Sequence, residues 1–208
     1  MEMAALITVF VTLFVIVDPI GLAPLFVALT QGMSASQRWK IALRACIVGA
    51  ALLTLFGLLG EAVLGFVGIS MPAFRIAGGI LLFITALDML FERRTKRRED
   101  QAHPDDDPDD PSVFPLAIPL IAGPGALATM ILLMGQNPGD WVWGLAVHLS
   151  MAAVIALTFL MFLTAGVIER ILGPTGINVV TRLLGMLLAA LAVQFVLDGL
   201  RNYGLAPA

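Results

Sequence analysis

Apolar positions fall into six long blocks along the chain, roughly 3–30, 41–60, 72–91, 113–134, 142–168 and 177–199, with polar residues gathered between them. A bilayer core about 30 Å thick needs about 20 apolar residues per crossing helix, so each block predicts one transmembrane span. The blocks at 3–30, 113–134 and 142–168 are longer than a straight crossing requires. That length permits tilt in all three, and a break in the first and fourth, where Pro and Gly fall inside the span. The expected fold class is therefore all-α, a polytopic membrane protein of six helices. The one long polar stretch, "ERRTKRREDQAHPDDDPDDPS" (92–112), holds five of the twelve Lys and Arg residues and eight of the fifteen acids. Such a composition cannot bury a core, so the stretch reads as a flexible linker.

Two of the blocks carry interruptions that a plain membrane helix avoids. The first contains "VIVDPIGLAPLF" (Val15–Phe26) and the fourth "PLIAGPGALA" (Pro119–Ala128). Asp before Pro, and Gly before Pro, are helix-start signals: Asp18 and Gly123 suit the N-cap, while Pro19 and Pro124 suit the first helical position, where a missing N–H costs nothing. Each break thus predicts a second half-helix starting near the bilayer centre. A helix N-terminus offers unpaired N–H groups and about half a positive charge, which suits an anionic head group such as a carboxylate. Irregular backbone at that depth must be buried in protein or line a cavity, and a cavity is the expectation here. Asp18 is the one acid near the membrane centre, where an ionised group is costly. It can neutralise a substrate ammonium, carry a coupling proton, or only cap its helix. Two helix ends and one acid suit a zwitterion such as a small neutral amino acid. The predicted substrate-binding set is Asp18, Pro19, Gly21, Leu22 and Ala23 from the first break, with Gly123, Pro124, Gly125 and Ala126 from the second.

The two breaks are part of a longer internal repeat. "EAVLGFVGIS" (Glu61–Ser70) aligns with "ERILGPTGIN" (Glu169–Asn178) at an offset of 108; Arg75, Gly78 and Leu81 match Arg182, Gly185 and Leu188 at 107; Pro19, Leu22 and Ala23 match Pro124, Leu127 and Ala128 at 105. Recurrence of small residues in membrane helices accounts for the glycines but not for the Glu and Arg. The chain divides into a first three-helix unit (1–91), the linker (92–112) and a second unit (113–208). An odd number of spans per unit forces the second copy into the membrane from the opposite side, an inverted repeat. In each copy a Glu closes the second helix and an Arg opens the third, and salt bridges Glu61–Arg75 and Glu169–Arg182 are expected across the two turns.

Composition narrows the class further. With 59% hydrophobic residues, 13% charged residues and a mean hydropathy of +0.96, the chain has lipid as its main solvent. The loops on one side carry Arg38, Lys40, Arg44, Arg93, Arg94, Lys96, Arg97, Arg98, Arg170 and Arg182, against Arg75 and Arg201 on the other. The positive-inside rule then puts both termini outside the cytoplasm. No basic stripe marks a nucleic-acid surface, and the single cysteine, Cys46, excludes an internal disulfide and a cysteine-based zinc site. The sequence has no GxSxG, no HExxH and no close pair of membrane acids, so an enzyme is not expected. His148 in the fifth block is read as a packing histidine, with proton relay as the alternative. Asp88 and Asp198 fall at span ends, as do Trp141, Trp143 and Tyr203 of an aromatic belt.

"FPLAIPLIAGPGALATMILL" (Phe114–Leu133), "DPIGLAPLF" and "RIAGGILLFITALDML" with the charged linker after it resemble the MarC, or neutral amino acid transporter, family of six-span bacterial inner-membrane proteins, over essentially the whole length. The resemblance implies two inverted three-helix halves and transport of neutral amino acids across the bacterial inner membrane; no cofactor is expected, and H+ or Na+ are the candidate coupling ions, between which the sequence does not choose. One departure stands out: the family pattern places Asn after the glycine of the first break, and here the residue is Leu22. The alternative class is a channel or a membrane scaffold without carrier activity. A reporter fused after Ala208 is expected to read as periplasmic and one inserted at Gln101 as cytoplasmic; a cytoplasmic C-terminus would overturn both the orientation and the inversion.

Overall fold

The computed structural model describes residues 3–91 and 110–204. These residues form eight helical segments: α1 (Met3–Val17), α2 (Pro19–Leu29), α3 (Ala35–Val67), α4 (Met71–Leu90), an irregular α5 (Ser112–Ile121), α6 (Pro124–Met134), α7 (Trp141–Leu163) and α8 (Ala165–Asn202). Five helices are long and apolar enough to cross a membrane, counting α1 and α2 as one span of 27 residues, and α5 with α6 makes a sixth, bent by 55°. The protein is a polytopic all-α membrane protein, as the hydropathy blocks predict. Most of the linker, residues 92–109, lies outside the described residues.

The spans differ in detail from the six blocks, for local reasons. α3 starts six residues early because Ser34 and Gln37 form a reciprocal capping box, and it ends at Gly68, whose φ of 81° closes the helix in a left-handed turn. Its 33 residues make about 50 Å of helix, so the first turns, with Arg38, Lys40 and Arg44, extend past the apolar slab. The fifth span stops at Leu163 rather than 168; Thr164 leaves helical geometry and α8 begins at once. Within α8 the backbone breaks again at Gly173 (φ 61°, ψ 174°) ahead of Pro174. Pro174 stands where the first copy has Phe66, and a proline disfavours helical geometry in the residue before it.

Small residues set how closely the helices approach. Gly49, Leu53, Gly57, Gly60 and Leu64 form the buried stripe of α3. A Cβ at Gly49 would lie 2.7 Å from Ile121, at Gly57 3.0 Å from Met130 and at Gly60 2.4 Å from Ile131, so α5 and α6 run alongside α3 in the same direction. Bulky residues on other faces of α3, such as Leu55, Leu58 and Phe66, are exposed, as lipid contact requires. α4 and α8 pack antiparallel, nearly backbone to backbone. A Cβ at Gly79 would be 2.8 Å from the Ala192 carbonyl oxygen, one at Gly185 3.2 Å from that of Ala86, and one at Gly199 3.1 Å from that of Pro72. This register sets Leu82 opposite Ala189, its own counterpart at the offset of 107. The other main contacts also exchange with the two halves: α3 packs on α6 as α7 does on α2, α2 on α8 as α6 on α4, and α3 on α5 as α7 on α1.

Two glycines give opposite expectations. Gly79→Val should lower stability by about 1–3 kcal/mol, because backbone of α8 stands where the new side chain must go. Gly65→Ala, in a helix with nothing within 4 Å, should be neutral or stabilising by up to about 1 kcal/mol. Thermal unfolding of the purified protein in detergent measures both.

Candidate functional site

The half-helices α2 and α6 are each 11 residues long, with Pro at the first position. Their N-caps, Asp18 and Gly123, and their C-caps, Thr30 and Gly135, match at the repeat's offset of 105. Eleven residues rise about 16 Å, half the thickness of the apolar slab. α6 starts just past Ile121, which lies level with Gly49 near the middle of α3, and a Cβ at Gly125 would meet Leu82 of central α4 at 3.6 Å. Meanwhile α2 leads into the start of α3, towards which α6 does not run. The two half-helices therefore begin near mid-depth and point to opposite faces. Their starting regions touch: a Cβ at Gly125 would sit 2.9 Å from Cδ1 of Ile16, two residues before Asp18.

Both C-terminal ends are met by arginine. The Thr30 carbonyl accepts from Arg38 Nε at 3.2 Å, and the Gly135 carbonyl accepts from Arg75 Nη2 at 3.2 Å. A guanidinium there satisfies an orphan carbonyl and opposes the negative end of the helix dipole.

The two N-terminal ends differ. Asp18 has φ 56° and ψ 64°, a left-handed conformation that Asp tolerates better than most residues. Its N–H still donates to the Phe14 carbonyl at 2.9 Å, and its carbonyl accepts from Leu22 N–H at 3.0 Å. Its Oδ1 accepts from Gly21 N–H at 3.1 Å, which is the capping bond. Gly21 is needed because a Cβ there would lie 2.2 Å from Asp18 Oδ2. Asp18, Leu22 and Ala23 are 0% exposed. At the second break Gly123 supplies no side-chain cap. Pro124 is exposed and Gly123 and Gly125 are half-buried, while Ala126 is buried. The approach to this end is the irregular α5, where Phe114 and Ile118 are extended ahead of Pro115 and Pro119, so that "FPLAIPLI" is not a regular helix. The break thus spans the whole of α5 rather than Gly123 alone.

Each predicted site residue has a defined place. At the capped end Asp18, Pro19, Leu22 and Ala23 are buried and Gly21 is half-buried; Gly123, Pro124, Gly125 and Ala126 form the end without a side-chain cap, where Pro124 is exposed. The described cavities lie elsewhere. One of about 720 Å³ opens between α3, the 135–140 turn and α7, with Glu61 and His148 among its lining. His148 Nδ1 lies 2.8 Å from the Gly144 carbonyl, the packing role read from the sequence, and that carbonyl can only accept, so Nδ1 carries the proton. The expected Glu61–Arg75 salt bridge does not form. Arg75 turns to Gly135 of α6, and Glu61 is exposed at the cavity. The Glu169 side chain lies outside the described residues. Asp198 accepts from Gln194 Nε2 at 2.9 Å on an exposed face. The caps at Thr30 and Gly135 went unread, although the equal spacing from each Asp/Gly–Pro start marks them.

A family profile described as "MarC family integral membrane protein" matches residues 3–203. The chain is 43% identical over 195 residues to a "UPF0056 membrane protein" of Archaeoglobus fulgidus, covering 92% of this chain and 90% of that one. It is 38% identical to "UPF0056 membrane protein YvbG" of Bacillus subtilis, with 97% of each chain covered. It is also 33% identical to "UPF0056 inner membrane protein YhgN" of Escherichia coli, covering 97% and 98%. No solved structure matches the chain.

The geometry at Asp18 predicts an order of stabilities. Asp18→Asn keeps both the cap and the left-handed backbone and should melt close to wild type. Asp18→Ala loses the cap and strains the backbone, about 1 kcal/mol for each. Gly21→Ala should be at least as destabilising, because it expels the carboxylate; melting temperatures in detergent test the series, and an unaffected Gly21→Ala would contradict the packing described.

Proposed function

We propose, from the premise that the chain belongs to the MarC family of integral membrane proteins, that it is a secondary transporter of small neutral amino acids or similar zwitterions, and not an enzyme. The observation that carries this reading is the meeting, near mid-depth, of two repeat-matched half-helix starts, with Ile16 of the first against Gly125 of the second. Paired interruptions in corresponding segments are where carriers built from repeats hold their substrates. The antiparallel register of α4 on α8, with Leu82 opposite its own counterpart, supports an inverted duplication of 1–91 and 113–208 about a pseudo-two-fold axis in the membrane plane.

In this reading the substrate carboxylate sits at the uncapped start of α6, where Gly125 lets the backbone approach closely and N–H groups point at the anion. Asp18 receives the ammonium. Leu22 offers an apolar wall rather than a side-chain amide, which favours a small aliphatic side chain on the substrate. The buried first end corresponds to a closed conformation, and the halves must rock about the α4–α8 contact to admit the solute. Both termini face the periplasm, with Arg38, Lys40 and Arg44 on the cytoplasmic side.

Counterflow of labelled alanine, glycine and serine into proteoliposomes tests the reading. Saturable exchange is expected, whereas a graded leak without saturation would favour a channel. Asp18→Asn should cut exchange at least about 10-fold while the protein stays folded, since only the charge is lost. Gly125→Val should abolish exchange. Wild-type exchange by folded Asp18→Asn would reduce Asp18 to a helix cap.

A further inference from the structure

Arg75 lies in the first turns of α4 with only 8% of its surface exposed. Nη2 donates to the Gly135 carbonyl, whereas Nε is buried with no hydrogen-bond partner. No described ion pair involves it; that of Arg44 with Asp110 lies on another face. A guanidinium is always charged and carries five N–H donors, of which one backbone carbonyl satisfies only one. Removing such a cation from water without a counter-charge is costly even at a helix end near the membrane face. Capping α6 does not require this, because the Thr30 end is capped by Arg38 from the exposed start of α3.

We propose that Arg75 is a carboxylate-binding station at one end of the α4–α6 seam, taking the substrate's anionic group between solvent and the start of α6. Only the identity of the ligand rests on the carrier reading; the unpaired cation does not. Nε and Nη2 of a guanidinium form the edge that grips a carboxylate with two parallel bonds; here Nε is unpartnered, while Nη2 already donates one of its two N–H groups to Gly135. The seam leads to the other positive end. A Cβ at Gly78 would meet Leu132 at 2.8 Å, and Leu82 packs beside Gly125. From Arg75 to Leu82 is about 10 Å along α4. The seam is closely packed in this structure, so an anion leaving the α6 start meets Arg75 next only when α4 and α6 part. The counterpart Arg182 is exposed, so the second seam lacks the same buried cation.

Binding of N-acetylalanine, a carboxylate without an ammonium, and of alaninamide, an ammonium without a carboxylate, to the full chain in nanodiscs tests this. Tryptophan fluorescence is the readout, since Trp143 Nε1 donates to the Leu133 carbonyl beside the Gly135 cap. Arg75→Gln should weaken N-acetylalanine at least about 10-fold and leave alaninamide unchanged, a selectivity that loss of a helix cap alone would not produce. Arg75→Lys keeps the charge without the fork and should bind about fivefold more weakly than wild type; it carries the test if the Gln variant does not fold. Unchanged N-acetylalanine binding by either folded variant, or none by wild type, overturns the proposal. Loss of binding in Gly125→Val but not in Arg75→Gln would leave the helix-end site standing and remove this one. Arg75-dependent carboxylate binding without any counterflow would do the reverse.

Discussion

Every backbone N–H and C=O inside a bilayer must find a partner within the protein, and this constraint governs where the chain can leave helical geometry. At Asp18 it does so for one residue only. The Phe14 and Asp18 carbonyls keep their N–H partners across the break, and the carboxylate takes the Gly21 N–H, so the first interruption is nearly complete in its own bonding. At the second break the approach through Phe114–Pro115 and Ile118–Pro119 gives up the regular ladder, and Gly123 adds no side-chain cap. The result is one helix start that is bonded and sealed, and one that is open and electropositive. Two half-helices of equal length thus have chemically different ends.

Close packing around these ends comes from residues without bulk. Glycines at 49, 57 and 60 let α5 and α6 lie against α3, and those at 79, 185 and 199 bring α4 and α8 nearly into backbone contact. Lipid gives no hydrophobic reason for helices to associate, so such close van der Waals contact is what holds them. The same contacts hold Ile16 against Gly125 and hence the two breaks together. Stacking of Phe26 on Phe162, with ring centroids 4.5 Å apart, ties α2 to α7 in the same way.

Charges within the apolar slab are few, and the two arginines that meet α2 and α6 act at helix ends. Arg38 and Arg75 each answer a terminal carbonyl of a half-helix, at positions matched by the repeat. Their surroundings differ, however, since Arg38 projects from the exposed start of α3 and Arg75 is enclosed. The electrostatic asymmetry between the halves therefore has two parts, Asp18 against Gly123 at the N-termini and buried against half-buried arginine at the C-termini.

Hydropathy, helix-start residues and the internal repeat are properties of adjacent residues along one chain, and they were enough to determine the number and approximate placement of the spans and the starts of both half-helices, but not the exact span ends or the extent of the second break. They also carried the resemblance to the MarC family. Pro174 in place of Phe66 already encoded the break at Gly173, although the repeat drew attention to the shared glycine instead. Which groups pair across the fold was not legible in this way. Arg75 has Glu61 only fourteen residues away in sequence, yet it bonds to Gly135, sixty residues on, because the packing of α4 on α6 decides what lies within reach. Burial of Asp18 and exposure of Pro124 follow likewise from neighbours contributed by other helices. Local sequence specifies where a helix starts and stops; only the tertiary structure decides which of those ends stays uncovered, since that depends on where distant segments pack.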